Sequence, residues 1–385
     1  MLKSFKVMLV PSNHQRTRLF QFAGTARFAY NWALRREIDA HSAGEKFISN
    51  FDLRKEFTML RNSTEYVWLR TISNNVTKQA IKDCVDAYQR FFKHQSERPI
   101  FKSKRRGDFS FYQDTDKIRI TATHVKLEAI ATSKKRNKQQ LNWIRLAEHE
   151  RIPVGVKYKE PRITFDGLNW FISVAIEFEP EKIQADGEPL GIDLGIKNLS
   201  TCSDGTIYPN INRTKTVRRL KKKQRRLQRS ISRKYEINNT KGERYSKTRN
   251  IIKSERKLLR LHHRLANLRQ NYRHQITSAI IGRKPSSIVL EDLNVRGMMS
   301  NRHLAKAVQE QGFYEFRRQI EYKAQWAGIT VMVADRFYPS SKTCIACGHV
   351  KKDLRLSERI YHCENCGNEI DRDLQAAINL KRYAS

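Results

Sequence analysis

Two cysteine pairs near the C-terminus, Cys344-x2-Cys347 and Cys363-x2-Cys366, are separated by a fifteen-residue loop. No other feature limits the local fold so tightly. Four thiolates at that spacing suit a structural zinc site, in which two short turns grip one ion. Gly348 and Gly367 follow the second cysteine of each pair, where a glycine lets the backbone fold round and aim its amides at the sulfurs. Two disulfides are the alternative. Nothing marks the chain as secreted, and reducing compartments leave thiols to metals. An Asp-Arg-Asp at 371–373 follows the second pair, so a carboxylate that could hold a catalytic metal lies close in sequence to the structural one.

The chain has 385 residues, enough for two or three domains. Lys and Arg total 75 against 39 Asp and Glu, a formal charge of +36. Such an excess repels itself unless a polyanion neutralises it, and the basic residues run through the whole chain rather than along one membrane anchor. Nucleic acid is the expected polyanion. The start, MLKSFKVMLV, has no long apolar run behind it, and no stretch approaches the twenty apolar residues of a membrane span. No membrane partner is expected, and the prokaryotic cytoplasm, in association with the nucleoid, is the expected location. Cys84 lies in a helical pattern and Cys202 in a strand-like run, both read as buried small apolar residues.

Residues 2–10 read as a strand. From Gln15 to Phe92 the pattern is helical, with Leu19, Phe22, Ala26, Tyr30 and Leu34 at steps of three and four, and Val76, Ala80, Cys84, Ala87 and Phe91 likewise. Basic and aromatic residues interleave at Tyr88, Arg90, Phe91, Phe92 and Lys93. Pro99 ends the helical pattern, and the basic run Lys102–Arg106 follows. KIRITATHVKL, VGVKYKE, PRITF and NWFISVAIEFE read as strands, with an exposed loop at 133–140. After about residue 187 come three short strands, PLGIDLG, NLSTCSD and TIYPN. Between Arg213 and Arg273 stand 23 Lys or Arg in 61 residues, against Glu236, Glu243 and Glu255. Two apolar stripes survive there, Val217, Leu220, Leu227, Ile231 and Leu258, Leu261, Leu265, Leu268, which predict a helical hairpin turning within 235–248. A strand, SSIVLED, a helix from about His303 to Trp326, a strand, ITVMVAD, the ribbon and a last helix near Asp373 complete the order.

That order fits an RNase H-like fold, a mixed sheet with helices on its faces. Three acids then stand at strand ends and a helix start: Asp193, Glu291 and Asp373, 98 and 82 residues apart. Such a cluster suits phosphodiester hydrolysis with two divalent ions about 3.5–4 Å apart, and hard oxygens suit magnesium or manganese. Each acid has a plainer reading. Asp193 suits a turn, Glu291 a salt bridge to Arg296, and Asp373 a helix N-cap. Asp292 and Asp371 are rivals for the second and third positions.

The run GIDLGIKNLSTCSDG resembles the first RuvC motif of TnpB proteins, transposon-encoded RNA-guided nucleases related to type V CRISPR effectors. VLEDLNVRGM resembles their second motif, and YPSSKTCIACGHVKKDLRLSERIYHCENCGNEIDRDLQAAINL their zinc ribbon and third motif. RFAYNWAL, DAYQRFFKHQSERPIFKSKRR and FISVAIEFEPE resemble their N-terminal part. The resemblance implies a multidomain α+β protein. Its parts are a wedge β-barrel (1–14 and 99–186), a helical recognition domain (15–98), a RuvC nuclease (187–339 and 369–385) and a zinc ribbon insertion (340–368). It implies catalytic, magnesium-binding Asp193, Glu291 and Asp373, and a structural zinc at Cys344, Cys347, Cys363 and Cys366. Gln375 departs from the Asn usual there, and the segment after HVKLEAI lacks the usual Pro-Lys-Leu-Gly turn.

The implied partners are a guide RNA from the transposon end and double-stranded target DNA with an adjacent motif, at one protein per RNA. Asn75, Lys78 and Gln79 are candidate base readers on one helix, since Asn and Gln bond adenine bidentately. A plain polar helix face explains them equally. Lys102, Lys104, Arg105 and Arg106 form a charge cluster suited to phosphates, as do Lys222, Arg225, Arg226 and Arg229 on the basic hairpin. Rival functions are a guide-independent transposase-type nuclease, an RNA-guided DNA-binding regulator and a CRISPR effector.

Overall fold

The computed structural model describes residues 1–107, 109–131, 139–238, 247–355 and 358–384. It divides into two units, Met1–Glu179 and Pro180–Ser385. Most of the expected loop at 133–140 and the middle of the expected turn at 235–248 lie outside the described residues.

The first unit is built on β1 (Leu2–Val10), which runs antiparallel to β7 (Trp170–Glu177) through eight registered pairs, Leu2 opposite Glu177 to Leu9 opposite Trp170. The remaining strands are β2 (Ser110–Tyr112), β3 (Arg119–Ile120), β4 (His124–Lys126), β5 (Trp143–Leu146) and β6 (Tyr158–Phe165). The sheet order is β2-β6-β7-β1-β5-β4-β3. KIRITATHVKL is therefore two short strands, not one, and WIRL adds a strand that the sequence pattern did not announce. VGVKYKE and PRITF join as the single strand β6. Its register shifts between Lys159 and Arg162, where Glu160 takes φ +45° ahead of Pro161. A proline cannot donate to the ladder, so the strand bulges there instead of ending.

Three helices enter between β1 and β2: α1 (Asn13–Ser42), α2 (Asn50–Asn62) and α3 (Asn74–Phe92). Ser12 and Gln15 form a reciprocal capping box at the start of α1. The Gln15 amide also donates to the Leu141 and Trp143 carbonyls at 2.9 Å each, tying helix start to sheet. Small residues Ala23, Ala26, Ala29 and Ala33 let α3 lie close. Leu19, Phe22, Val76, Ile81 and Cys84 pack in one core with Val7, Ile144, Trp170 and Ile172. Helices and strands of this unit thus share a core. Asp83 on α3 receives both Arg162 guanidinium nitrogens from β6 at 2.8 Å.

The second unit has a five-stranded sheet of order β10-β9-β8-β11-β12. Its strands are β8 (Leu190–Leu194), β9 (Asn198–Cys202), β10 (Ile207–Pro209), β11 (Ser287–Glu291) and β12 (Thr330–Ala334). β8, β9 and β10 form an antiparallel meander, and β11 and β12 add in parallel. Cys84 and Cys202 are both fully buried, as expected. The basic stretch forms α4 (Lys215–Ile237) and α5 (Arg249–Ile281), and its stripes meet: Val217 and Leu220 pack against Leu261 and Leu265.

The helix expected from His303 to Trp326 is broken. After α6 (Val295–Ser300), α7 (Ala305–Gln311) ends at Gly312, and α8 (Phe313–Ala327) begins there. Gly312 takes φ +68° against the Arg273 guanidinium, a conformation that disfavours any side chain. The ribbon hairpin β13 (Ile360–His362) and β14 (Glu369–Asp371) leads into the last helix, α9 (Arg372–Arg382).

Candidate active site and metal centre

β8 and β11 are parallel neighbours, with Leu190, Gly191 and Ile192 opposite Ile288, Val289 and Leu290. Asp193 and Glu291 are the next residues of each strand, so two acids leave the sheet side by side at its C-terminal edge. Side chains alternate along a strand. Leu190, Ile192, Ile288 and Leu290 point into the core containing Ile276, Ile280 and Phe316. Gly191, Asp193, Val289 and Glu291 therefore take the opposite face, where Val289 meets Leu380 of α9. An added Cβ at Gly191 would collide with the Ala377 carbonyl and the Lys381 amide. Gly191 thus lets α9 lie directly on β8, which brings Asp373, in the first turn of α9, beside Asp193.

The electrostatics register this meeting. The Asp193 carboxyl is pushed well above the usual carboxylate range, first by burial, then by the charges of Asp373 and Glu291. Glu291 is raised as well, by burial and then by Asp292. Asp373 keeps 14% of its side chain exposed and faces Arg372 at 3.6 Å and Arg359 at 4.0 Å.

Asp371 and Asp292 are occupied otherwise. Asp371 caps α9, accepting from the Asp373 and Leu374 amides at 2.9 and 3.1 Å, which leaves the Asp373 carboxylate free of that duty. Asp292 is held by Arg317 at 3.2 Å and Arg336 at 2.7 Å. Glu291 has no ion pair among the described residues, and Arg296 does not engage it. Beside Glu291 lies a cleft of about 410 Å³, lined by Asp292, Arg296, Tyr314, Arg317 and Arg336.

Among the described residues, the four cysteines are the group whose ligand atoms all lie within 4.8 Å of one another. The three carboxylates stand farther apart. Cys344 and Cys366 sulfurs are 3.6 Å apart, as are Cys347 and Cys363. That excludes disulfides, whose bond is about 2.05 Å. It fits a tetrahedral ion with bonds of about 2.3 Å, whose sulfur–sulfur edges are about 3.8 Å. Each pair forms the same turn. The Gly348 amide donates to the Cys344 carbonyl and the Gly367 amide to the Cys363 carbonyl, both at 3.0 Å, with φ +74° and +72° at the two glycines. The donor set and its spacing fit a zinc ribbon.

Side-chain amides hold these parts in place, and of them the sequence singles out Gln375 alone. Asn379 donates to the Ser340 and Thr343 carbonyls at 2.7 and 2.6 Å, and Gln375, one turn earlier, to Ser341 at 3.1 Å. α9 therefore carries Asp373 and also grips the strap entering the ribbon. Gln311 and Asn210 donate to the Gly195 and Ile196 carbonyls at 3.0 and 2.8 Å, steadying the turn after Asp193. Asn379 shows in the sequence as an amide inside the apolar run 376–380, whereas Gln311 and Asn210 carry no such signal.

The expected nucleic-acid contacts divide. Lys222, Arg225, Arg226 and Arg229 are exposed on α4 and make no ion pair among the described residues. Lys104, Arg105 and Arg106 are also exposed, but Lys102 is only half-exposed. Its ammonium lies 3.8 Å from the Tyr30 ring centroid, and its backbone pairs with Asn31. Lys78 is exposed. The Gln79 amide donates to Asp83 at 3.0 Å and the Asn75 amide to Asp114. Reading a base with either amide would first break those bonds. Among the described residues, no helix is long and apolar enough to cross a membrane.

Three family models match the chain. A "Helix-turn-helix domain" model of the IS605 OrfB type matches residues 1–46, which here form β1 and the single helix α1 with the start of the next loop. "Probable transposase", OrfB of IS605, matches 171–302, and "Cas12f1-like, TNB domain" matches 313–380. The candidate RNA-guided DNA endonuclease InsQ of Escherichia coli strain K12 is 30% identical over 395 residues, covering 98% of this chain and 91% of that protein. The TnpB-like protein L79 of Acanthamoeba polyphaga mimivirus is 30% identical over 146 residues, 35% of this chain and 27% of that protein. A solved structure of the mini-RNA-guided endonuclease CRISPR-Cas_phi3 aligns at a TM-score of 0.50 and 10% identity, covering 100% of this chain and 92% of that one. At that identity the likeness is one of fold alone.

Proposed function

The chain belongs to the TnpB family, the OrfB proteins of IS605-type elements, and on that footing we propose that it is an RNA-guided DNA endonuclease. It binds a guide RNA from the end of its mobile element, recognises a short motif beside the target, and cuts both DNA strands at a single RuvC site. The second unit is then an RNase H-like RuvC nuclease (187–339 and 369–385) with the ribbon, 340–368, inserted. The first is a wedge barrel (1–14 and 99–186) with the recognition helices, 15–98, inserted in it. The particle works in the prokaryotic cytoplasm.

The observation that carries this reading is the convergence of Asp193, Glu291 and Asp373 on the face of the sheet beneath α9. A buried aspartate whose proton affinity is raised by burial and by two neighbouring acids is a poor structural device and a good cation trap. Asp193, Glu291 and Asp373 would hold magnesium or manganese. When bound, such ions supply an activated water and a counter-charge for the leaving oxygen of a phosphodiester. The residues themselves aim the carboxylates and keep their rivals occupied: Asp371 by capping, Asp292 by two arginines. Four thiolates leave zinc no open position, so the ribbon's role is structural.

Lys222, Arg225, Arg226 and Arg229 meet backbone phosphates of the guide or the heteroduplex, with Lys104, Arg105 and Arg106 as a second set. Lys78 is the candidate reader that is free to act, with Asn75 and Gln79 joining it once released from their carboxylates.

The test is co-expression with the native flanking DNA, sequencing of co-purified RNA, and cleavage of a matched duplex. A discrete RNA ending in a variable segment, with cutting lost in Asp193→Ala, supports the proposal. Cutting without RNA would make the chain a guide-independent nuclease. RNA-directed binding without cutting would make it a regulator.

A further inference from the structure

A cavity of about 300 Å³ opens in the first unit between the end of α1, the segment before α2 and the end of α3. That is the lower end of the range of small-ligand pockets, and nothing in the nuclease reading uses it. Its walls are aromatic. Phe47 stands edge-on to Tyr88 and Phe92, with centroids 5.7 and 5.5 Å away, and Tyr88 and Phe92 are stacked at 5.8 Å. Phe92 is 54% exposed and Phe47 39%, so ring faces remain open. The interleaved aromatic and basic run at 88–93 supplies two of these rings.

The floor is a carboxylate. Glu37 is 3% exposed. Its Oε2 accepts only a long bond from the Ile48 amide, 3.4 Å, and its Oε1 has no partner. Burial pushes this carboxyl up to about 7. A buried acceptor left short of a donor destabilises a fold, and the two side-chain donors among the aromatic and imidazole walls, His41 and the Tyr88 hydroxyl, do not bond Glu37. The rim is cationic, formed by Lys46 and Arg98, and Arg98 also bonds the Tyr88 hydroxyl. Glu45, the acid at the rim, is drawn toward Arg36 at 3.7 Å.

We propose that this cavity binds one unpaired nucleobase bearing an exocyclic amino group. The ring stacks on Phe92 and Phe47, the amino group donates to Glu37, and the attached phosphates meet Lys46 and Arg98. Aromatic side chains hold splayed bases by their faces, and a carboxylate accepts from an amino edge. Uracil and thymine carry a carbonyl in place of that donor, and against the ionised Glu37 carboxylate, the form that prevails above about pH 7, they would set oxygen against oxygen. An aromatic wall with an acid floor also suits a methylated ammonium, but the cationic rim repels a cation and attracts a phosphodiester. The proposal rests on the nucleic-acid partner named above. Guide RNA and target DNA both contain such bases.

The test uses full-length protein and 2-aminopurine riboside, a fluorescent nucleoside with an exocyclic amino group whose emission falls on stacking. It carries no phosphate, so the basic surface does not retain it. At about pH 8.5, where Glu37 is ionised, saturable quenching is expected, displaced at least about tenfold better by cytidine than by uridine. Glu37→Met should keep quenching and lose that preference. Phe92→Ala, at an exposed position that folds normally, should lose the quenching itself. Absence of saturable quenching, equal displacement by uridine, or a Phe92→Ala protein that binds normally overturns the proposal. Displacement by trimethyllysine instead of cytidine also overturns it and assigns an ammonium cage.

Loading guide RNA and then target DNA identifies the natural source by which addition blocks the probe. A probe that still binds after both overturns the proposal. Target cleavage is measured on the same loaded preparation. Cutting by a preparation whose unloaded protein never bound the nucleoside removes the cavity's role and leaves the nuclease reading intact, and nucleoside binding by unloaded protein that does not cut once loaded does the reverse.

Discussion

The second unit gathers like-charged ligands twice, and the two gatherings differ. Four sulfurs close to within 4.8 Å of one another, whereas the three carboxylates do not. The cysteines sit in two identical turns, each closed by a glycine amide at 3.0 Å and a left-handed glycine. Their geometry is local, and thiols can approach while protonated. The acids come from two strands and a helix 98 and 82 residues apart. Their geometry is only as good as the packing of α9 on Gly191. Their charges push them apart, and Arg359 and Arg372 draw on Asp373. A site made of local turns forms as an assembled cage, while one made of distant elements waits for its counter-ions.

The largest expected effect tests the acid site directly. Asp193→Ala should lower guided cleavage by about 10³-fold or more, with melting temperature and zinc content unchanged. An equal loss of zinc would mean that the two sites are not separable. Gly191→Ala comes next. Its methyl would drive α9 off β8, costing roughly 1–3 kcal/mol as overpacking does. Thermal unfolding and cleavage should fall together while the zinc turns survive. A stable, inactive Gly191→Ala protein would place the fault in the carboxylates alone.

From the other side, Cys363→Ser or prolonged chelation should remove zinc, counted by atomic absorption, and reduce soluble yield and cutting together, because the ribbon hangs from the strap that Asn379 grips. Normal cutting by zinc-free protein would break the link between the two sites. The smallest effect is that of Asp371→Ala. Losing the cap should cost about 1 kcal/mol, read from the melting curve, and lower cleavage far less than Asp373→Ala does. If the two variants were equally inactive, the division of labour between those neighbours would be wrong.

Much was legible in the residues. The cysteine spacing and the strand ends at Asp193 and Glu291 stand where the pattern put them, and the stripes of α4 and α5 meet through Val217, Leu220, Leu227, Leu261, Leu265 and Leu268, without Ile231 and Leu258. Three features were not legible for physical reasons. A strand containing Pro161 reads as two, because a bulge leaves no trace in alternation. Gly312 breaks a continuous helical pattern, because its conformation answers to Arg273, 39 positions earlier in the chain. Asn75 and Gln79 read as free amides, because the carboxylates that occupy them lie elsewhere on the fold.

The sequence alone determined the ligands of the ribbon, since four cysteines and two glycines encode their own turns. It also determined the polyanionic partner, since a charge of +36 needs no fold to be felt. Only tertiary structure decided what occupies Asp371 and Asp292, the neighbours of the Asp373 and Glu291 to which the family resemblance points. In each pair the two acids are neighbours in sequence and equal in chemistry. One is consumed by a helix cap or by two arginines, and the other is left facing Asp193. That choice depends on direction in space, which side-chain alternation and the close approach of α9 to Gly191 impose.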